Sequence, residues 1–422
     1  MRRFGRDDRG QAIVLVGITM LGMLFAVGLA LDSGQLFVAR RSAQEAADSA
    51  AFAGAVVLYQ NGTVSQATSA ATSDASLNGY ATDTPTSGTT VTPSSPPASG
   101  SFSSDASCVM VAISTPVRTA LVPQGSTFTT VVATGVACSV INNSQYAIMA
   151  IDQSCDAGTV SLSSQGSLIV HGGSIDVNSC NSQAAQSSGT ITLDAGYYSD
   201  VVGNVTGTWP NLRSGRPVQA DPFAGTAKPS TTGLTTYATP ACSPTINQPG
   251  IYTGTANSNC EYLFAPGTYI WKGGGISLAG NSSACTGTSC GGGITPTATG
   301  GVFFFFTTSN YSATGGTCTG VALNGNNATT LSPPTTGTYQ GMLMWIDSNC
   351  GSGTGMSVGG GGALTTTGSI YVPAGTVSGN GNNAVIKVSQ IVAYKMDTQN
   401  ADFTFNYSTS GTFQGHFPAL VQ

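Results

Sequence analysis

The hydrophobic pattern begins with one uninterrupted block. Residues 12–31, AIVLVGITMLGMLFAVGLAL, run for 20 positions without a charge. About 20 such residues let a helix cross the hydrocarbon core of a bilayer. The predicted anchor is made by Ala12, Leu15, Leu21, Leu24, Phe25, Leu29 and Leu31. Arg2, Arg3, Arg6 and Arg9 precede the run. The positive-inside bias then puts the N-terminus in the cytoplasm and the bulk of the chain outside. Arg40 and Arg41 on the far side weaken that bias. The rival reading is a cleaved signal peptide, whose apolar core spans about 7–15 residues before a small-x-small site. This run is longer and GLALDSG is a poor site, so an uncleaved single-pass anchor is favoured.

The next stretch, ARRSAQEAADSAAFAGA (39–55), keeps a helical period. Alanine is the best helix former, and no Pro or Gly cluster separates the stretch from the anchor. One helix is predicted to continue to about residue 60. Ala39, Ala43, Ala46 and Ala50 recur at spacings of 4, 3 and 4, which is one helix face. Gln44, Glu45 and Asp48 lie on other faces. Small residues let a second backbone approach closely. The favoured occupant of that face is this chain's own downstream domain; the alternative is a second copy or a partner subunit.

Residues 61–107 hold few large apolar residues and end in TPTSGTTVTPSSPPASGSFSSD, a composition that gains little from ordering. They read as a partly flexible linker with some helix near 64–80. Residues 108–144 read as a small β module, in which 108–122 and 127–140 are strand-like and PQGS (123–126) is turn-like. From 145 to 422, short alternating runs are separated by Gly/Asn turns. A loose unit, apolar-x-apolar-x-Gly-Asn/Gly, recurs at Ile276–Asn281, Val321–Asn326 and Met356–Gly361. The step from Met356 to Thr376 is one rung of a parallel β-helix, while steps of 45 and 35 imply rungs with insertions. The fold class is therefore mainly β: a long N-terminal transmembrane helix, a small β-rich module, and a Gly/Asn-rich domain like a right-handed parallel β-helix. A pair of β-sandwiches is the alternative. VFFFFTTSN (302–310) must cover both faces of one strand, as a central strand with a lid such as FTFNYSTSGTFQGHF (403–417). Its other reading is an exposed patch for a partner.

The stretch 7–55 carries a resemblance. RGQA at 9–12, the apolar run, Asp32, ARR at 39–41, Gln44 and AADSAAFAGA at 46–55 together resemble the N-terminal segment of the TadE/TadG-like proteins of Flp (tight-adherence) pilus assembly, the TadG-like branch in particular. DPFAG (221–225) is similar to a link in that branch. The resemblance implies a single-pass envelope protein of pilus biogenesis or surface display, and allows a short helix at the 123–126 turn. Pilins of this system carry a Glu five residues into the mature chain, after a Gly. Here, cleavage after Gly10 would place Leu15 there, a departure from the pattern of a processed major pilin.

Composition narrows the rest. Only 7% of residues are charged, against about 25% in ordinary domains. Residues 61–422 hold 7 basic and 13 acidic groups, which argues against a nucleic-acid partner. All ten cysteines follow the anchor: Cys108, Cys138, Cys155, Cys180, Cys242, Cys260, Cys285, Cys290, Cys318 and Cys350. An even count outside the membrane fits disulfides. Neighbour pairing gives 108–138, 155–180, 242–260, 285–290 and 318–350. Zinc is disfavoured, since no CxxC occurs and His171 and His416 stand far apart.

Catalytic motifs are missing: no phosphate loop, no GxSxG, no HExxH. Asp152, Asp156, Asp176, Asp194 and Asp200 are the candidates for a polysaccharide-cleaving pair or, for Asp152 and Asp156, calcium ligands. The more ordinary role of such residues is turn capping. Trp209, Trp271 and Trp345 either stack on sugars or, as favoured, pack. The expectation is therefore a non-enzymatic protein without cofactor or metal. Its partners would be the lipid bilayer, pilus-assembly or envelope proteins (itself included) and a surface glycan. The alternatives are a surface β-helix enzyme acting on polysaccharide and a passive adhesin unrelated to pili.

Overall fold

The computed structural model describes residues 9–59, 62–83, 86–119, 128–141, 145–163, 166–257, 259–286, 300–311, 313, 315–325, 328–361, 363–381 and 384–421. The basic positions Arg2, Arg3 and Arg6, the turn at 123–126 and Cys290 lie outside these residues. The chain divides into two compact units, Met1–Ile141 with His416–Gln422, and Asn142–Gly415.

Unit one is built on helix α1, Arg9–Tyr59. Its 51 residues span about 76 Å at 1.5 Å per residue. Helix α2, Val64–Leu77, starts at a capping box: the Gln66 N–H donates to Thr63 Oγ1 (3.2 Å) and the Thr63 N–H to Gln66 Oε1 (2.8 Å). Ala67, Ala71 and Ala75 recur every four residues and are buried. Strands β1 (Thr90–Ser94), β2 (Cys108–Arg118) and β3 (Phe128–Ile141) pair antiparallel, and the strand His416–Leu420 closes the sheet on the β3 side. The helix-facing side carries Val91, Val109, Val111, Ile113, Ala133 and Ala137, clustered with the alanines of α1 and α2.

Two expectations are corrected here. The helix expected near 64–80 is found at 64–77, whereas 90–94, expected as flexible linker, is a strand of this unit, because Val91 finds an apolar partner in the helices and the sheet. The β module is also not confined to 108–144, since its last strand comes from the end of the chain.

Cys108 and Cys138 are directly opposed in β2 and β3 and bonded. They are 30 residues apart in sequence, so loop-closure entropy credits the bond with about 3–4 kcal/mol. Cys108→Ser with Cys138→Ser is expected to lower the thermal transition of this unit by roughly 10 °C. Thermal denaturation followed by circular dichroism checks this; an unchanged midpoint would contradict it.

Among the described residues, unit two consists of parallel strands in a sheet of 17 and a sheet of 9. The middle coils contribute three short strands each, and the coils toward the ends of the stack one or two. One coil runs through 369–372, 376–380 and 385–388, and the next through 390–393, 395–399 and 402–406. The sandwich alternative requires antiparallel pairing; the described pairings in this unit are parallel. The repeat positions Ile276, Val321 and Met356 are register partners across three strands. Met356 pairs with Val377, one residue beyond the expected Thr376. Side chains pointing inward form one apolar core, with a stack of rings from Tyr237 through Tyr252 and Trp271 to Phe306. A glycine ladder makes one corner. A Cβ at Gly275 would stand 2.4 Å from Gly320 O, and one at Gly320 would stand 2.1 Å from Gly355 O. Neither position has room for a side chain.

The order of the coils is not the order of the sequence. The first strands, Tyr146–Ala150, Ser174–Val177, Ser199–Val201 and Leu212–Ser214, stack outward in that order. The chain then crosses to the opposite end of the stack and resumes at Thr236–Tyr237. From there the strands return, until Gln390–Gln399 pairs with Tyr146–Ala150. The crossing segment, 215–235, is a strap over the outer face. Beneath it lies one register row: Ile251, Ile270, Phe305, Trp345, Tyr371, Val392, Met149, Asp176 and Asp200.

Phe303, Phe304, Phe305 and Phe306 are fully buried. Phe304 and Phe306 fill the interior, and Phe303 and Phe305 the outer cluster. The strand with both faces covered is found, but the lid is different. Asp402–Asn406 is itself a strand of a coil, with Phe403 and Phe405 inside, and among the described side chains of 403–417 Phe413 alone joins the outer cluster. The strap does much of the covering: Tyr339 donates to Ala227 O (2.8 Å) and Tyr311 to Pro229 O.

Candidate functional site

The helix α1 has two environments along its length. Its window of highest mean hydropathy has no buried share, and Leu15, Leu21, Leu24, Phe25, Leu29 and Leu31 are all exposed. The side chain of Ala12 lies outside the described ones. An apolar helix surface this long, uncovered by protein, has the length and composition to span a membrane. Phe37 and Val38 are exposed as well, 71% and 66%.

From Ala43 onward the same helix is docked. Ala43, Ala46, Ala47, Ala50, Ala51 and Ala55 are buried, and Ala39 is half-buried. The predicted small-residue face thus packs on the chain's own β2, β3 and α2, and it is wider than the four alanines singled out. The approach is close because both surfaces are small. A Cβ on Gly135 of β3 would sit 2.6 Å from Ala47 C and O and from Asp48 N. One on Gly54 would sit 2.9 Å from Val109 Cγ1. Gln44 Nε2 donates both to Thr134 O and to Asp48 Oδ1, each at 2.8 Å, tying the helix to the strand. Gly135 was not a sequence candidate; glycine in the middle of a strand was the available signal, marking a close backbone approach.

The five candidate aspartates all lie in unit two, and they separate into three sets. Asp152 and Asp156 meet at Lys395, whose Nζ is 3.8 Å from Asp152 and 2.6 Å from Asp156. Burial raises the Asp152 carboxyl, but hydrogen bonds from Ser154 and Tyr394 and the Lys395 charge hold it below the usual range. Asp194 pairs with His171 (2.9 Å) at the surface, and that bond lowers it. Asp176 and Asp200 are register partners on neighbouring strands, with 1% and 2% exposure. Two carboxylates do meet there, yet they are covered, so no polysaccharide chain reaches them in this structure. Among the described residues no group of three or more His, Cys, Asp or Glu could hold a metal. Trp209, Trp271 and Trp345 are buried, which overturns the sugar-stacking reading. The side chain of His416 lies outside the described ones.

The cysteine pairs 108–138, 155–180, 242–260 and 318–350 are bonded as neighbour pairing predicts. Cys285 is disulfide-bonded; its expected partner, Cys290, lies outside the described residues.

Sequence reasoning missed the strap. Its anchors come from separate coils. Asn178 exchanges two 2.8 Å hydrogen bonds with Gln219, the Tyr371 hydroxyl donates to Asp221 Oδ2 (2.6 Å), and Lys228 Nζ lies 2.7 Å from Asp347 Oδ1. Burial raises Asp347, but the bonds from Lys228, the Asn349 N–H and Thr307 outweigh it and hold the carboxyl low. Asp221 is raised by burial in spite of its two donors. DPFAG was the one local signal for this segment.

Comparison with known proteins gives one finding that coincides with the helix. A family model described as putative Flp pilus-assembly TadE/G-like matches residues 10–57. No curated protein and no solved structure matches the chain.

Proposed function

We propose that this protein is a single-pass, membrane-anchored structural component of Flp/Tad-type pilus assembly or of surface adhesion. It acts by packing and display, without catalysis. The observation that carries the reading is a coincidence of boundaries. The family match over 10–57 covers the one helix that is apolar and exposed before residue 31 and docked into a folded unit from Ala43. In this reading the N-terminus is cytoplasmic and both units lie outside. The stacked parallel coils then form a disulfide-stapled right-handed β-helix that the anchor holds at the cell surface. Its partners are the bilayer and pilus-assembly or envelope proteins. The docked alanines leave the exposed Phe37 and Val38, between the anchor and the sheet, as the part of the helix open to such a partner.

Leu24→Arg tests the anchor. An Arg near the middle of a transmembrane helix costs about 3 kcal/mol of insertion free energy. Fractionation with mass spectrometry of the N-terminal peptide is expected to find the natural chain intact in the membrane fraction. Leu24→Arg is expected to be depleted there, with loss of assembled filaments. A natural chain whose N-terminus begins near Leu31 or Asp32, found in the medium, would sink the proposal.

A further inference from the structure

We infer that Asp176 is an acid-closed latch for the start of the strap: protonated, it lets segment 215–222 seat over it, and ionised, it loosens that segment. Four observations support this. Asp176 is 1% exposed, and among the described residues neither carboxyl oxygen has a hydrogen-bond partner. Its register neighbours in the row are Met149 on one side and Asp200 on the other, a thioether and a second carboxylate. The nearby cations are committed to Asp200, which takes Arg213 Nε and Nη2 at 2.6 and 2.7 Å and has Arg216 Nε at 4.0 Å. Finally, the strap is fastened close to Asp176. The Arg216 N–H donates to Val201 O (3.1 Å), the register partner of Val177, and Gln219 is held by Asn178, two residues after Asp176.

A buried carboxylate without a partner is costly, and the cheapest relief is a proton. In keeping with this, burial, with the Asp200 charge second, pushes the Asp176 carboxyl up to about 7 from its usual 3.8. The closed strap therefore holds a proton that the open strap releases. Its advantage is full below about 3.8, falls as pH rises towards about 7, and is flat above that. The other groups that face this region act as follows. Asp221, on the strap, is raised by burial and works in the same direction. Tyr146, which donates to Asp200 at 3.4 Å, is pushed up to about 12, outside the window. Asp347, paired with Lys228, is lowered, so that pin is lost only at more acid pH. Arg213 is raised by its bond to Asp200, outside the window, and Arg216 Nε stands 4.0 Å from Asp200.

The test is hydrogen exchange with mass spectrometry on the detergent-solubilised full chain, following peptides across 213–225 from pH 4.5 to 8.5 and correcting for intrinsic exchange. Protection is expected to fall by roughly 100-fold or more over that range, since each pH unit between the two titration points is worth about tenfold. Asp176→Asn is expected to remove most of that fall. If Asp176→Asn does not fold, Asp221→Asn decides the matter: a persisting fall supports the latch, and a flat profile assigns the effect to Asp221. Corrected protection that is flat in the natural chain, or equally steep in Asp176→Asn, overturns the inference.

Discussion

Gly135→Val is expected to unseat α1 from its sheet. The new Cβ would arrive 2.6 Å from the Ala47 carbonyl carbon and oxygen and from Asp48 N. These are helix backbone atoms, with no rotamer to move away. Either β3 bends or the helix lifts. Lifting uncovers the cluster of Ala43, Ala46, Ala47, Ala50, Val109, Val111 and Ile113 and breaks the Gln44 bond to Thr134 O. Overpacking a core costs about 1–3 kcal/mol where neighbours yield; against rigid backbone the upper end, about 3 kcal/mol, is expected. Thermal denaturation should show the transition of unit one lowered by roughly 6–12 °C, and proteolysis should open α2. A variant that melts with the natural protein would disprove the close docking. The same geometry changes what an alanine test means. Leu at Ala43 or Ala46 would disturb assembly by unfolding this unit, so it says nothing of a partner. Phe37 and Val38, exposed on the same helix, are the positions where substitution reads a partner alone.

The long apolar helix and its docked continuation were legible in the sequence because both are matters of local period. An uncharged run and a 4-3-4 spacing of alanine need no knowledge of distant residues. The strand content of unit two was legible for the same reason, and Ile276, Val321 and Met356, chosen as a loose repeat, are register partners. Disulfide pairing by neighbours worked where strands fold back directly, as at Cys108 and Cys138.

What failed depends on long-range order. Alternation says that Ser174–Val177 is a strand, but not that the coils before the strap stack on the last coil of the chain. That pairing, Ile391 with Ile148 and Val392 with Met149, joins residues more than 240 positions apart. The helix at 64–77 was legible within the expected 64–80, but the strand at 90–94 was not, because Val91 is its one buried apolar residue and the partners of that residue lie elsewhere in the chain. The aspartates are a different case. Five were candidates, with no pairing assigned among them; that Asp176 and Asp200 are register partners was not legible, because it depends on how successive coils stack.

Phe223→Ala is expected to be the most damaging single change in the strap. Phe223, at the centre of DPFAG, is 1% exposed and meets two rings edge-on, Tyr371 at 5.2 Å and Phe413 at 5.0 Å. Truncating a buried Phe costs about 3–5 kcal/mol. The strap has no sheet pairing of its own, so it has little with which to absorb that loss. Asp221, two residues earlier, would lose the ring that keeps its bond to Tyr371 dry, and Phe413 would lose its partner from the strap. Release of 219–225 should follow at temperatures where the stacked coils remain folded, since the interior row of Phe304, Phe306, Phe403 and Phe405 does not include Phe223. Limited proteolysis resolves this: new cleavage within 213–235, with the remaining coils intact, is the expected pattern. If the variant instead unfolds in one step with all of unit two, the strap is a structural part of the core, and its closure over the row from Ile251 to Asp200 is inseparable from folding of the coils.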